Sequence, residues 1–106
     1  MKHVVSDDFK VKMQTFFDGC VKIYNEHMNS QFPGIPAELL EMNYGSRYVK
    51  VTKTNGGVHC FVDISNGDVL KAASFNAPAK KARGNIFNPD NGLSGVDAYG
   101  AKYLRG

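Results

Sequence analysis

"RYVKVTKTNGGVHCFVDISNGDVLKAASF", Arg47 to Phe75, decides the fold. In its first part Val49 and Val51 alternate with Tyr48, Lys50 and Thr52, so the two sets fall on opposite faces of a strand. "NGG" at Asn55–Gly57 is a hairpin signal. Beyond it, Val58, Cys60, Val62 and Ile64 alternate with His59, Phe61 and Asp63. "SNGD" marks a second turn and "VLKAASF" a third strand. The pattern predicts an antiparallel meander with strands at about 46–54, 58–64 and 68–75. One face of it is apolar and needs a cover.

The cover lies upstream. Ser6 is an N-cap residue, and Asp7 and Asp8 put negative charge where a helix dipole favours it. Phe9, Met13, Phe16, Cys20, Ile23 and His27 then recur at helical spacing, widened by Phe17, Tyr24 and Met28. A helix over 7–29 is predicted, ended by Pro33 and Gly34. At 1.5 Å per residue it is a rod of about 34 Å. Such a long aromatic stripe is expected to bury against a second copy as well as its own sheet, with Gly19 allowing a close backbone approach. Pro36 followed by "AELLEM" predicts a short helix at 36–42. The fold class is α+β, in one domain spanning 1–106.

Composition bounds the function. Seven Phe and five Tyr in 106 residues, with 42% hydrophobic residues, supply a core and exclude global disorder. No stretch approaches the roughly 20 apolar residues that cross a bilayer, and "MKHVVSDDFK" has no apolar signal-peptide segment. Cys20 and Cys60 lack metal or redox spacing and read as free thiols of a cytoplasmic protein. The net charge of +3 is unevenly placed: residues 69–106 hold six basic and two acidic groups, which favours an anionic partner there.

After Phe75 the periodicity stops. Residues 76–106 hold five Gly, yet Ile86, Phe87, Leu93, Val96, Tyr99, Tyr103 and Leu104 recur through them, so an ordered loop region is expected. Within it "KKARGN" sets Lys80, Lys81 and Arg83 before Gly84 and Asn85. Arg offers a planar fork for phosphate oxygens, and Gly lets backbone N–H groups approach an anion. Asn85 has the amide to read a ribose or base, and Phe75 a flat face for stacking. Lys102 and Arg105, beside Tyr99 and Tyr103, add a second basic and aromatic group, and Arg47 a further cation. Lys80 and Lys81 by themselves read first as a solvated face.

Catalytic signals are missing. His59 and Cys60, as strand neighbours, are expected on opposite faces, unable to form a Cys–His pair. His27 reads as a half-buried packing residue. No carboxylate pair has general acid–base spacing, no nucleophile elbow or phosphate loop occurs, and three scattered His residues make no metal set. The residues thus suit a nucleotide binder that does no chemistry, a single-stranded nucleic-acid binder, or a structural interaction protein. Salt separates the first two, because strand binding weakens by about 0.7 log units per log salt for each phosphate neutralised.

"GDVLKAASFNAPAKKARGNIFNPDNG" followed by "YGAKYLR" is similar to a block common in small phage-encoded proteins. With the long helix ahead of a short sheet, the chain resembles the first-described family of phage Thoeris anti-defence proteins. These are sponges that sequester cyclic ADP-ribose signals made by bacterial TIR-domain enzymes, in the cytoplasm of the infected host. The likeness spans roughly 44–105. It implies uncleaved binding of glycocyclic ADP-ribose isomers, no cofactor, and a homo-oligomer, up to a hexamer, assembled through the N-terminal helix. For some members it implies cyclic oligonucleotides at a separate site. It matches the family's stacking aromatic to Phe75, its recognition Asn to Asn85 and its C-terminal stacking Arg to Arg105. The other pocket Arg has no match, with Arg47 and Lys50 the candidates.

Overall fold

Ser6 caps a single long helix, its Oγ accepting the Phe9 N–H at 3.0 Å while its carbonyl takes the Lys10 N–H. The computed structural model from which this geometry is read describes residues 5–31, 33–34, 39–54, 57–97 and 100–101. Helix α1 runs Asp7–Gln31, two residues beyond the expected end. Five strands follow: β1 Leu40–Tyr44, β2 Tyr48–Lys53, β3 Val58–Asp63, β4 Asp68–Ala72 and β5 Pro78–Asn85. They form one antiparallel sheet in chain order, so the fold is α+β with a meander against one helix. A 3-10 turn at Leu93–Gly95 leads into two short paired strands, β6 Val96–Asp97 and β7 Gly100–Ala101.

Two strands replace features expected otherwise. The short helix expected at 36–42 is overturned at its C-terminal end, where residues 40–42 lie in β1; residues 36–38 are outside the described set. "LEMNY" alternates with period 2, and Met42 sits opposite Val51. Tertiary pairing thus overrides the helix propensity of Leu, Glu and Met. The first part of the expected loop region is also a strand. β5 begins at Pro78, where the missing N–H costs no ladder bond, and its Lys80 and Lys81 are exposed on the sheet's edge. The third expected strand stops at Ala72 rather than Phe75, because residues 73–77 form the tip of the β4–β5 hairpin. Asn55 and Gly56, the expected first hairpin turn, lie outside the described residues.

The core lies between α1 and one sheet face. Phe9, Met13, Phe16, Cys20 and Tyr24 are buried along the helix. The cluster they help form includes Val49, Val51, Cys60, Val62 and Val69, extended by Ile86, Val96 and Ala101. Five residues of the stripe are therefore used within their own chain, while Phe17, Ile23, His27 and Met28 are half-buried. What α1 leaves exposed is polar apart from Val11. Gly19 does receive a close neighbour, but it is the Leu93 side chain of the same chain, not a second backbone.

The segment after β5 folds back onto the helix side of the sheet, and Gly100 fixes its path. Gly100 has φ +118, and a Cβ there would overlap the His59 carbonyl oxygen. Gly100→Ala should therefore cost about 3 kcal/mol of unfolding free energy by urea titration; an unchanged midpoint would contradict this packing.

Candidate ligand-binding cleft

The alternation that turns Val49 and Val51 toward α1 turns Tyr48, Lys50 and Thr52 the other way. On β3 it turns Phe61 and Asp63 to that same outer face, where Lys50 pairs with Phe61 and Tyr48 with Asp63. β1 adds Glu41 and Asn43, opposite Thr52 and Lys50. The hairpin tip brings Phe75 over this surface, and the result is a cleft of about 700 Å³. Its working parts are three rings, Tyr48, Phe61 and Phe75, and two cations, Arg47 and Lys50. Lys53 also lines it, but its ammonium lies over Tyr24 of α1, 5.6 Å from that ring's centroid.

The rings and cations are mutually fixed. Tyr48 and Phe61 meet edge to face with centroids 5.8 Å apart. The Lys50 Nζ lies 4.0 Å from the Phe75 centroid and 5.7 Å from that of Phe61, and it donates to Asn76 Oδ1 at 3.3 Å. Arg47 lies over Tyr48 at 5.3 Å, with its Nη2 3.7 Å from Asp63 Oδ2. Asp63 is in turn anchored by the Ser65 N–H and hydroxyl. Phe61 is buried as the floor, whereas Phe75 is 53% exposed and Arg47 is exposed at the rim. A flat, anionic ligand would find stacking faces and cations together here.

Of the residues expected to bind, Phe75 and Arg47 line this cleft together with Lys50. Arg83, Gly84 and Asn85 do not join them. Asn85 pairs with Asp68 at one end of the β4–β5 hairpin, while Phe75 lies beyond the Ala72–Pro78 pair at the other. Asn85 there serves the fold. Its Nδ2 donates to the Asn66 carbonyl at 2.8 Å and to Asp68 Oδ1 at 3.0 Å, and its Oδ1 accepts the Phe87 N–H at 2.8 Å. Gly84 faces the Gly92 backbone, its missing Cβ making room for the turn rather than for an anion. Arg83 donates to the Lys81 carbonyl. Lys102 and Arg105 lie outside the described residues.

The turn that packs on Gly84 is held by one carboxylate. Asp90 accepts the Gly92 N–H and both the N–H and hydroxyl of Ser94. Ser94 first, then the two backbone donors, hold the Asp90 carboxyl below its usual range.

One expectation about chemistry is corrected. Val51 pairs with Cys60 and Thr52 with Val58, which leaves His59 as the extra residue of a β-bulge. A bulge breaks strict alternation, so His59 and Cys60 do not face opposite ways, and both lie beside Cys20 of α1. Cys60 donates toward the Cys20 sulfur and pulls Cys20 down to about 6, against burial and with help from His59. Cys60 itself is pushed well above its ordinary value by that same bond and by enclosure. Neither ring nitrogen of His59 makes a hydrogen bond among the described residues. Both sulfurs are fully buried, so no substrate reaches this trio. Among the described residues no three His, Cys, Asp or Glu side chains are grouped to hold a metal, and no helix is long and apolar enough to cross a membrane.

Over residues 7–104 the sequence matches the family described as "Family of unknown function (DUF7717)". The chain belongs to that family. No curated protein and no solved structure matches it.

Two outcomes test this geometry. Asn85→Ala should lose about 2 kcal/mol of stability in chemical denaturation, from three hydrogen bonds broken; a change within about 0.5 kcal/mol would show the latch to be idle. Iodoacetamide should label neither cysteine in the native protein and both after denaturation, as read by intact mass; rapid native labelling would refute the enclosed trio.

Proposed function

We propose that the chain is a sponge: it binds a cyclic ADP-ribose isomer in the outer cleft and sequesters it without cleaving it. The observation that carries this reading is the convergence of Phe75, Tyr48 and Phe61 with Arg47 and Lys50 on one cleft of about 700 Å³. That size lies in the range of small-molecule sites, about 300–1,000 Å³. A cyclic dinucleotide-like diphosphate offers what the lining can use: a flat base for a ring face and phosphate oxygens for cations. The resemblance of the 67–92 block to the Thoeris anti-defence family supports the choice of ligand. On this reading the protein acts on TIR-derived signals in the cytoplasm of the infected bacterial host.

The proposal assigns binding roles only. Phe75 stacks, Arg47 and Lys50 neutralise phosphate, and Tyr48 and Phe61 form the floor. Asn85, Gly84 and Arg83 hold the far end of the hairpin within one chain, and Arg105 and Lys102 enter only through the resemblance. That resemblance also carries the helix-mediated homo-oligomer, up to a hexamer, and a separate site for cyclic oligonucleotides. Of the apolar stripe of α1, Phe9, Met13, Phe16, Cys20 and Tyr24 are buried at home, which leaves the half-buried Phe17, Ile23 and Met28 for such a contact. Sequestration must outcompete a signalling receptor, and nanomolar affinity corresponds to about −12 kcal/mol. A floor already fixed by Tyr48 and Phe61 lowers the ordering cost of reaching that value.

Calorimetry with cyclic ADP-ribose isomers, followed by heat denaturation and chromatography, tests the reading. Tight binding and recovery of intact ligand are expected. Cleaved product would make the protein an enzyme, and absence of binding, with salt-sensitive capture of single-stranded DNA, would favour the nucleic-acid reading. Phe75→Ala should weaken binding at least tenfold, since base stacking is worth about 1–3 kcal/mol, while stability stays within about 0.5 kcal/mol. Undiminished affinity in that variant would remove Phe75 from the site.

A further inference from the structure

The contact between Lys50 and Phe75 deepens the reading above and rests on it. The Lys50 ammonium is 4.0 Å from the Phe75 ring centroid, and Asn76 Oδ1 accepts from it at 3.3 Å. Both residues line the same cleft. The ring face that Lys50 covers is therefore turned toward the space a ligand would fill. A base cannot stack on that face while an ammonium occupies it. The contact is also easily exchanged, because a cation over a benzene ring is held weakly where water reaches it, whereas the same ammonium binds a phosphate oxygen through a charge-assisted hydrogen bond.

We propose that Lys50 sets the cleft's specificity by covering the stacking face of Phe75 until a phosphate draws it away, so that only a ligand carrying both a flat base and a phosphate gains both contacts. Phosphate without a base moves Lys50 but leaves the freed ring unused. A base without phosphate must displace the ammonium and gives it no new partner. The hairpin tip supplies the freedom this exchange needs. Residues 73–77 are exposed, and the β4–β5 register is irregular between Leu70 and Ala72. Lys50 itself is paired in register on both sides, with Asn43 of β1 and Phe61 of β3, so the exchange asks only its side chain to move.

The test compares two probes, adenosine and cyclic ADP-ribose, by calorimetry on the parent and on Lys50→Met, which keeps the apolar stem and removes the charge. Lys50→Met should bind adenosine about threefold more tightly, as the weak ring contact is relieved. It should bind cyclic ADP-ribose at least about tenfold more weakly, as the charge-assisted bond is lost, and Lys50→Arg should restore that binding. In the free parent protein the Lys50 ε-methylene protons should show an upfield ring-current shift that disappears on adding cyclic ADP-ribose. Affinities that move in the same direction for both probes, that do not move, or a ring-current shift that persists in the complex would overturn the proposal. If the parent binds neither probe, the sponge reading fails and takes this inference with it; if it binds cyclic ADP-ribose and the crossed pattern is missing, only the role given to Lys50 is lost.

Discussion

A single helix covers one face of this sheet. Everything else in the molecule follows from which face that is. The side chains that Phe9, Met13, Phe16, Cys20 and Tyr24 bury are those of one alternation set on β2, β3 and β4, chiefly Val49, Val51, Cys60, Val62 and Val69. A slip of one residue in β2 would turn Tyr48 and Lys50 into that core and Val49 and Val51 out of it. Pairing the apolar set with α1 thus fixes the register and, with it, the identity of the uncovered face. The chain after β5 reinforces the choice, since Ile86, Val96 and Ala101 join the same core.

The uncovered face would be a liability if it were simply apolar. Instead its exposed side chains are Arg47, Asn43 and Glu41, joined by half-buried Lys50 and Thr52, with Phe61 screened beneath Tyr48, Lys50 and Phe75. Such a surface keeps aromatic rings available without leaving a broad greasy patch. The cost of keeping cations near rings is modest, because guanidinium and ammonium groups are attracted to aromatic faces. Arg47 also has Asp63 to hold it, although that pair is largely solvated and contributes little to stability. The arrangement is better understood as storage of binding groups than as a stabilising device.

Much of this was legible in the chain. The cap at Ser6, the helix stripe and the three central strands follow from periodicity alone, and Tyr48, Lys50 and Phe61 were already placed on the face opposite the core set. What alternation could not show is that the β4–β5 hairpin bends its tip back, so that Phe75 meets Lys50 across a separation of 25 residues. Basic residues near Gly84 match the composition of a phosphate site, yet Gly84 makes room for Gly92 and Asn85 ties a turn. β1 was hidden by strong helix formers, and β5 by its Pro, Gly and Lys content, which suits an edge strand. His59 escaped the alternation rule because one inserted residue is invisible until the strands are paired.

The claim on which the account stands is that the face left bare by α1, and not the glycine-rich turn beyond β5, receives the ligand. Backbone amide shift mapping of the isotope-labelled protein titrated with cyclic ADP-ribose tests it most directly. The account predicts perturbations concentrated at residues 41–54, at Phe61 and at 74–77, with residues 83–95 nearly silent. Perturbations centred on 83–95, or none at all at saturating ligand, would contradict it.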